Sequence, residues 1–227
     1  MINIEDLFQI IQRLRVECPW DRVQTLESLR IHTIEEVYEL SQTIVEEDQV
    51  NLKKELGDLL VHILLYSTIA QEDGVFHFQD VIDSAKEKLI FRHPHIYGDT
   101  LAEDIKQVRQ NWEKQKLKEG NLSILSGVPK GLPAMVKAYR MQDKITASGL
   151  DQNMLENEFD AFKNIIKEIH KLQEIAILEQ KTEVLGDVFF ELIHWARLQK
   201  IDPEYALEKS NQKFKNKFQE METLLNP

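Results

Sequence analysis

Apolar residues recur at every third or fourth position along most of this chain, which is the spacing of one face of an α-helix. The first stripe predicts a helix that ends near Val16, with Asn3 as its N-cap. The segment Cys18-Pro19-Trp20-Asp21 ends this helix, because proline disfavours helical backbone in the residue before it. Thr25 is typical of an N-cap and predicts a second, longer helix that ends near Asp48.

The same helical spacing continues to the end of the chain, and no useful length of sequence alternates with the period of a strand. The remaining predicted helices have the approximate bounds 51–72, 78–91, 102–119, 134–147, 154–178, 182–199 and 203–225. The pattern therefore predicts an all-α protein built from bundle-like helical units.

Helical periodicity stops at a stretch rich in glycine and proline, residues 120–133. We predict that this stretch links an N-terminal domain, residues 1–119, to a C-terminal domain, residues 134–227. The segment Leu56-Gly57-Asp58 recurs in the second domain as Leu185-Gly186-Asp187, again followed by apolar residues. This echo indicates two copies of one helical unit.

Two predicted helices of the first copy carry a concentration of carboxylates: Glu35, Glu36 and Glu39 on one, Glu55 and Asp58 on the next. The spacings i, i+4 and i, i+3 place the members of each set on one side of their helix. Apolar residues between the two sets fit a helical hairpin, which would bring the carboxylates together. Such a cluster repels itself unless a divalent cation with oxygen ligands offsets its charge. The pattern therefore favours a magnesium site.

A solvated acidic surface is the ordinary alternative, because glutamate is a good helix former. Glu55 and Asp58, however, run directly into the apolar residues 59–65. Carboxylates so close to a buried run are less often present for solubility alone. In the second copy, Ala161 and Val184 stand where the first copy has glutamates, so we place the chemistry in the first copy only.

Two further interpretations stay open. Glu191 and His194 form one E-x-x-H pair, the unit of di-iron or di-manganese redox bundles, although that architecture needs two such pairs. A non-catalytic helical scaffold that dimerises through the hairpins is the other. His93 and His95 flank a proline at a helix end and are interpreted as structural, since two histidines without a cysteine are a weak zinc signal.

The composition of the chain limits the kinds of molecule that the protein is expected to bind. The net charge of −11 argues against general nucleic-acid binding, which needs a basic surface, but permits a small phosphorylated substrate beside a metal. The lone Cys18 excludes an internal disulfide and fits a reducing compartment. No signal peptide is visible, and the most apolar run, residues 59–70, is too short to span a bilayer. We therefore expect a cytoplasmic protein without a membrane partner.

Four motifs occur together in one order. Cys18-Pro19-Trp20-Asp21, with Gln24-Thr25, precedes the acidic pattern E-E-x-x-E and E-x-x-D, and Arg92-His93-Pro94-His95 and the W-x-x-x-K element follow it. On these motifs the chain resembles the MazG family of nucleoside triphosphate pyrophosphohydrolases. The resemblance implies an all-α homodimer that uses Mg²⁺, with Mn²⁺ as a substitute. It also implies that a nucleoside triphosphate is cut to a monophosphate and pyrophosphate, by water attack at the α-phosphorus, in clearing aberrant nucleotides.

The resemblance also implies roles for the positions that match the family's motifs. The carboxylates are the catalytic residues: Glu36, Glu39, Glu55 and Asp58 as metal ligands, and Glu35 as a carboxylate that orients the attacking water. The substrate-binding residues are Lys88 and Arg92 on the phosphates, Trp112 and Lys116 on base and phosphate, and Trp20 as a second candidate for stacking on the base.

Overall fold

The computed structural model describes residues 3–120, 122–149 and 158–225, and every regular element within these ranges is helical. The helices are α1 (Ile4–Glu17), α2 (Pro19–Arg22), α3 (Leu26–Val45), α4 (Gln49–Glu72), α5 (Phe78–Arg92), α6 (Pro94–Tyr97), α7 (Ile105–Lys118), α8 (Ala134–Ser148), α9 (Glu158–Glu174), α10 (Leu178–Leu198) and α11 (Pro203–Leu225), with a 3₁₀ turn at Ile124–Gly127. The all-α prediction is confirmed. The part of the helix predicted at 154–157 lies outside the described residues.

Two predicted breaks contain short helices instead. Helices α2 and α6 begin at Pro19 and Pro94, where the sequence indicated only interruptions. Proline suits the first helical position, because its φ angle is already helical and the first turn leaves that N–H unbonded in any case. A proline that ends one helix can therefore begin the next.

The helix starts follow their capping residues. Asn3 Oδ1 accepts a hydrogen bond from the backbone N–H of Asp6 at 2.9 Å, and the Asp6 carboxylate accepts one from the N–H of Asn3 at 2.9 Å. Thr25 caps α3 in the same reciprocal way with Ser28. Asp48 was predicted near the end of α3, but its side chain accepts from the first turn of α4, so α4 begins there.

By backbone proximity the chain divides into two compact units, Met1–Ile90 and Phe91–Pro227, and each is described by itself. This division falls before the glycine- and proline-rich stretch at 120–133. The predicted linker at 120–133 marks where one sequence repeat ends and the next begins. Backbone proximity does not test that boundary, which therefore stays a prediction.

The first unit is built around the hairpin of α3 and α4, with α1 packed on α4. Its core consists of Ile11 from α1, Leu29 from α3, and Leu64, Leu65 and Ile69 from α4, all buried. Leu29 and Leu64 are completely inaccessible to solvent. Truncating a leucine in such a position typically costs about 2–5 kcal/mol, so these contacts hold the hairpin in place.

The outer face of this hairpin is less covered than the sequence predicts. Val37, Leu56 and Ile63 are among the apolar residues whose spacing predicts that the hairpin closes on itself, but they are 50%, 53% and 46% exposed. Their side chains point away from the core of the unit. The hairpin therefore presents an apolar surface of its own.

Arg15 in α1 holds the segment between α1 and α3 in position. Its guanidinium forms a bidentate ion pair with Glu72 and donates to the backbone carbonyls of Asp21 and Gln24, the latter at 2.8 Å. The Arg15 side chain is only 11% exposed, so these charge-assisted bonds are shielded from water. One side chain thus fixes the conformation of the motif that carries Trp20.

In the second unit, α8, α9 and α10 pack around a core of buried small and branched residues: Ala161, Ile165, Val188, Ile193 and Ala196. A buried ion pair joins α7 to α8, with Lys144 Nζ 2.6 Å from Glu113 Oε2. The Gln142 side chain is fully buried and donates to the carbonyl of Phe190 at 2.9 Å, which ties α8 to α10.

None of the helices in the described part of the chain combines the length and the hydropathy needed to cross a bilayer.

Candidate active site

Carboxylates from α3 and α4 converge in the first unit. Glu36 and Glu39 from α3 and Glu55 from α4 each offer an oxygen, and these oxygens lie within 4.8 Å of one another. Among the described residues, this is the one group of three or more His, Cys, Asp or Glu side chains with a spacing that could hold a metal ion. The structure therefore brings together three of the four predicted ligands as a compact set of oxygen donors.

The fourth predicted ligand, Asp58, is close enough to act electrostatically on the cluster. The pKa of the Glu36 carboxyl is raised from its usual value, first by burial and then by the negative charges of Asp58, Glu39 and Glu55. A hydrogen bond to Glu55 adds to this effect. Glu36 therefore takes up a proton more readily than an isolated glutamate, as expected where like charges are forced together.

Glu55 is the most deeply placed member, with only 4% of the residue exposed. Its Oε2 is buried and has no hydrogen-bond partner among the described residues, while Lys54 Nζ lies 3.4 Å from its Oε1. A buried carboxylate oxygen without a partner is costly, because it has lost its water and gained nothing in return. Oxygen donors of this kind are those that Mg²⁺ and Mn²⁺ prefer, so the residues fit a divalent ion.

A hydrogen-bond network sets the register of the two helices beside the cluster. Thr33 Oγ1 lies 3.1 Å from His62 Nδ1 and 2.7 Å from the Tyr66 hydroxyl oxygen, and it also contacts the carbonyl of Leu29. Thr33 precedes Glu36 by about one helical turn on α3, and His62 follows Asp58 by about one turn on α4. This network therefore fixes which residues of α3 and α4 face each other.

Glu35 lies outside the three-carboxylate cluster. Its Oε2 is 3.2 Å from His32 Nδ1, and its side chain is 58% exposed. The His32 ring also lies 6.1 Å from the Trp20 ring, centroid to centroid. Trp20 itself is 52% exposed, so its ring is available to a ligand.

The other predicted substrate-binding residues divide between the two units. Lys88 lies on α5 in the first unit and is exposed. Arg92, in the second unit, forms a bidentate ion pair with Glu119, with Nε 2.8 Å from Oε1. The Arg92 guanidinium carbon and Lys116 Nζ lie 5.4 and 5.7 Å from the centroid of Trp112. The structure thus assembles Arg92, Trp112 and Lys116 as one group.

The rings of His93 and Trp112 meet in a T-shaped arrangement with their centroids 5.0 Å apart, and the centroids of His93 and His95 are 5.6 Å apart. These ring contacts suit the structural role predicted for both histidines. His194, half of the E-x-x-H pair, is buried with its Nδ1 3.2 Å from an Arg197 guanidinium nitrogen. A guanidinium beside the ring opposes a metal cation there.

Two positions that the predicted repeat aligns with glutamates of the cluster, Ala161 and Val184, carry packed side chains. Ala161 is completely buried between α9 and its neighbours, and Val184 on α10 is half-buried. Asp187 keeps the position that corresponds to Asp58, but it is exposed. The side chain of Glu158 lies outside the described residues.

Sequence reasoning missed Lys54, Thr33 and His62 as parts of the site. Lys54 adjoins Glu55 in the chain, and its pKa is raised by its hydrogen bond to that carboxylate. A lysine in an acidic helix ordinarily signals a solvated face, so the pattern gave no reason to single it out. Thr33 and His62 occupy the right helical turns, but only the packed hairpin shows that they meet.

The sequence was next compared with known proteins. The profile of the MazG nucleotide pyrophosphohydrolase domain matches residues 24–97, which contain the whole acidic pattern. A nucleoside triphosphate pyrophosphohydrolase of Escherichia coli K12 is 36% identical over 99% of this chain and 89% of its own length. The nucleoside triphosphate pyrophosphohydrolase/pyrophosphatase MazG of Thermotoga maritima is 36% identical over 99% of this chain and 87% of its own length.

A further relative, the uncharacterized protein YabN of Bacillus subtilis, is 39% identical over 94% of this chain, which spans 45% of YabN. The helical hairpin and its carboxylate cluster thus belong to a class of nucleotide hydrolases. The chain belongs to the MazG nucleotide pyrophosphohydrolase family, as the sequence motifs predicted.

Proposed function

We propose that this protein hydrolyses nucleoside triphosphates to a nucleoside monophosphate and pyrophosphate, with Mg²⁺ as its cofactor and Mn²⁺ as a substitute. In this reaction the oxygen of a water forms a bond to the α-phosphorus, and the bond from that phosphorus to the bridging oxygen of the β-phosphate breaks. The bridging oxygen leaves with pyrophosphate, and a proton of the water passes to solvent. We further propose that the substrates are aberrant nucleotides in the cytoplasm.

The residues suited to hold the ion are Glu36, Glu39, Glu55 and Asp58. When bound there, a divalent cation supplies positive charge against the phosphate oxygens and makes water a better nucleophile near neutral pH. The partnerless oxygen of Glu55 supports this assignment, because a cation would satisfy it.

The remaining residues act on the substrate and the water. Glu35, oriented by its contact with His32, accepts a hydrogen bond from the attacking water. Cationic side chains at Lys88, Arg92 and Lys116 bind phosphate oxygens and stabilise the charge that leaves with pyrophosphate. Exposed Trp20 or half-buried Trp112 stacks on the base, and stacking tolerates any base.

The observation that carries this proposal is the convergence of three carboxylate oxygens within 4.8 Å around a buried Glu55. The experiment is a panel of nucleoside triphosphates with Mg²⁺, in which pyrophosphate and orthophosphate are resolved among the products. We expect monophosphate and pyrophosphate from the wild type and none from Glu39→Gln. Glu27→Gln, an exposed glutamate at the other end of α3, is the matched control and should keep full turnover. Orthophosphate with diphosphate would refute the reaction, and full turnover by Glu39→Gln would refute the site.

We also propose that the protein is a homodimer and that a second copy covers the exposed apolar face of α3 and α4. Val37, Leu56 and Ile63 are each about half exposed and lie on neighbouring helices, as in an interface that is self-complementary. Sedimentation analysis should give a dimer for the wild type and for Val50→Lys, a control that lies at the start of α4. Ile63→Lys should shift the protein towards the monomer; an unchanged dimer would contradict this assignment of the interface.

A further inference from the structure

A lysine side chain lies against the carboxylate cluster of the first unit. Lys54 Nζ is 3.4 Å from Oε1 of Glu55, the next residue along α4. Among the described residues, this is the one ion pair that any of the four predicted metal ligands forms. The lysine therefore offsets part of the negative charge that α3 and α4 bring together.

Helical spacing explains why Lys54, and not its neighbour Lys53, has this position. Lys54 precedes Asp58 by four residues, about one turn of α4, so the two side chains lie on the same side of the helix. Lys53 is equally exposed, but the residues one turn from it on α4 include no carboxylate. The two lysines thus differ in their relation to the cluster and in little else.

The positive charge of Lys54 interacts with most of the cluster. The pKa of its ammonium group is raised, first by the hydrogen bond to Glu55 and by the charge of that carboxylate, and also by the charges of Asp58 and Glu39. An electrostatic interaction is mutual, so the ammonium group stabilises these carboxylates in their charged form in turn. The same positive charge opposes a second cation among the same oxygens.

The contact of Lys54 with the cluster can break without disturbing the fold. The Lys54 side chain is 65% exposed, whereas that of Glu55 is 5% exposed. A lysine ammonium is a strongly hydrated point charge on a flexible stem, so it regains water when it moves away. Exposed ion pairs contribute little to stability. A divalent cation, with twice the charge, should therefore displace the lysine at some cost in affinity.

We propose that Lys54 is a tethered counter-ion of the carboxylate cluster, which offsets its charge when no ion is bound and lowers its affinity for a divalent cation. This proposal rests on the proposed function, because it takes the four carboxylates as ligands of the ion. It adds a residue that sets how tightly those ligands hold the ion. Lys54 acts through the charge of the cluster and needs no contact with the substrate.

The test is the affinity of the full chain for Mn²⁺, measured by electron paramagnetic resonance. Lys54→Met removes the charge but keeps an unbranched side chain, so it should bind Mn²⁺ about two- to fivefold more tightly, the ratio that corresponds to the loss of an exposed ion pair. Lys54→Arg keeps the charge and should bind as the wild type does. Lys53→Met is the matched control, since it removes the same net charge from an exposed neighbour, and its affinity should be unchanged.

Thermal unfolding gives a second measurement that does not depend on turnover. In the presence of a chelator, Lys54→Met should unfold at a lower temperature than Lys53→Met, because its cluster has lost the counter-ion. With saturating Mn²⁺ this difference should disappear, since the lysine no longer contacts the cluster once the ion is bound. Salt should also reduce the gain in Mn²⁺ affinity of Lys54→Met, because exposed charges are screened.

The outcomes separate this proposal from the proposed reaction. Equal Mn²⁺ affinity in Lys54→Met and Lys53→Met would overturn the role of Lys54, even if pyrophosphate is released normally. Weaker binding by Lys54→Met would also overturn it, because the lysine would then hold Glu55 in place for the ion. A wild type that binds no Mn²⁺ would refute the ion site and this proposal together. Tighter binding by Lys54→Met in a protein that releases no pyrophosphate would refute the reaction and support the role of Lys54.

Discussion

The sequence predicts that the hairpins α3–α4 and α9–α10 are copies of one helical unit, yet among the described residues only the first brings together carboxylates at a spacing that could hold a metal ion. Where α3–α4 has Glu39 and the buried Glu55, whose Oε2 has no hydrogen-bond partner among the described residues, α9–α10 has Ala161 and Val184. Ala161 is completely buried, so a longer, charged side chain at this position would enter the packed core. A buried carboxylate oxygen without a partner costs free energy that a buried alanine does not, so the two hairpins differ in how much they would gain from a bound cation.

The largest effect on activity is expected when a carboxylate of α3–α4 is replaced by the residue at the matching position of α9–α10. Glu55→Val should lower pyrophosphate release by at least about 100-fold, because it removes the most buried oxygen donor of the cluster. Product analysis with Mg²⁺ measures this loss. Glu183→Val, on the exposed part of α10, is the control and should leave turnover unchanged. Turnover near the wild-type rate in Glu55→Val would mean that the chemistry does not depend on this cluster.

The reverse substitution, a glutamate placed into α9–α10, should destabilise the protein rather than create a site. Ala161→Glu puts a carboxylate into a closed core without a partner, which should lower the free energy of unfolding by about 3 kcal/mol or more. Denaturant unfolding measures the change, with Lys167→Glu as a control at an exposed position of α9. A variant as stable as the wild type would show that the second hairpin still has room for a site.

The smallest expected effect concerns acid stability of the first hairpin. The pKa of His62 is lowered from its ordinary 6.5, first by burial and then by the charge of His32, while Asp58 opposes the shift. His62 therefore binds a proton more readily in the unfolded chain than in the folded one. Its contribution to the free energy of unfolding is fully present above pH 6.5 and is lost as the pH falls below 6.5 towards the pKa of the folded state. His62→Gln should flatten this part of a plot of unfolding free energy against pH. A plot of unchanged slope would remove His62 as the cause.

Much of this architecture follows from local sequence. The caps Asn3 and Thr25 and the 3.6-residue periodicity predict α1 and the start of α3, because capping and amphipathicity depend on neighbouring residues. The short helices at Pro19 and Pro94 were missed, since proline signals an end and a beginning equally well.

The carboxylates of the candidate site could be predicted from the sequence, but the residues that position their helices could not. Helical spacing places Glu36, Glu39 and Glu55 on facing sides of a hairpin, and the structure brings them together. The contact of Thr33 with His62 depends on the register between two helices, which no pattern within either helix determines. The buried ion pair of Lys144 with Glu113 was likewise hidden, because it joins helices from two different predicted domains.

Titration of Mn²⁺ into the wild type and Glu55→Val, with bound and free ion distinguished by electron paramagnetic resonance, tests the central claim most directly. The claim is that α3 and α4 hold their carboxylates close enough to bind a divalent ion. We predict that the wild type binds Mn²⁺ and lowers the signal of the free ion in proportion to the protein concentration. Added Mg²⁺ should displace the bound Mn²⁺, and Glu55→Val should bind little Mn²⁺. Equal binding by the two proteins, or none by the wild type, would contradict the account.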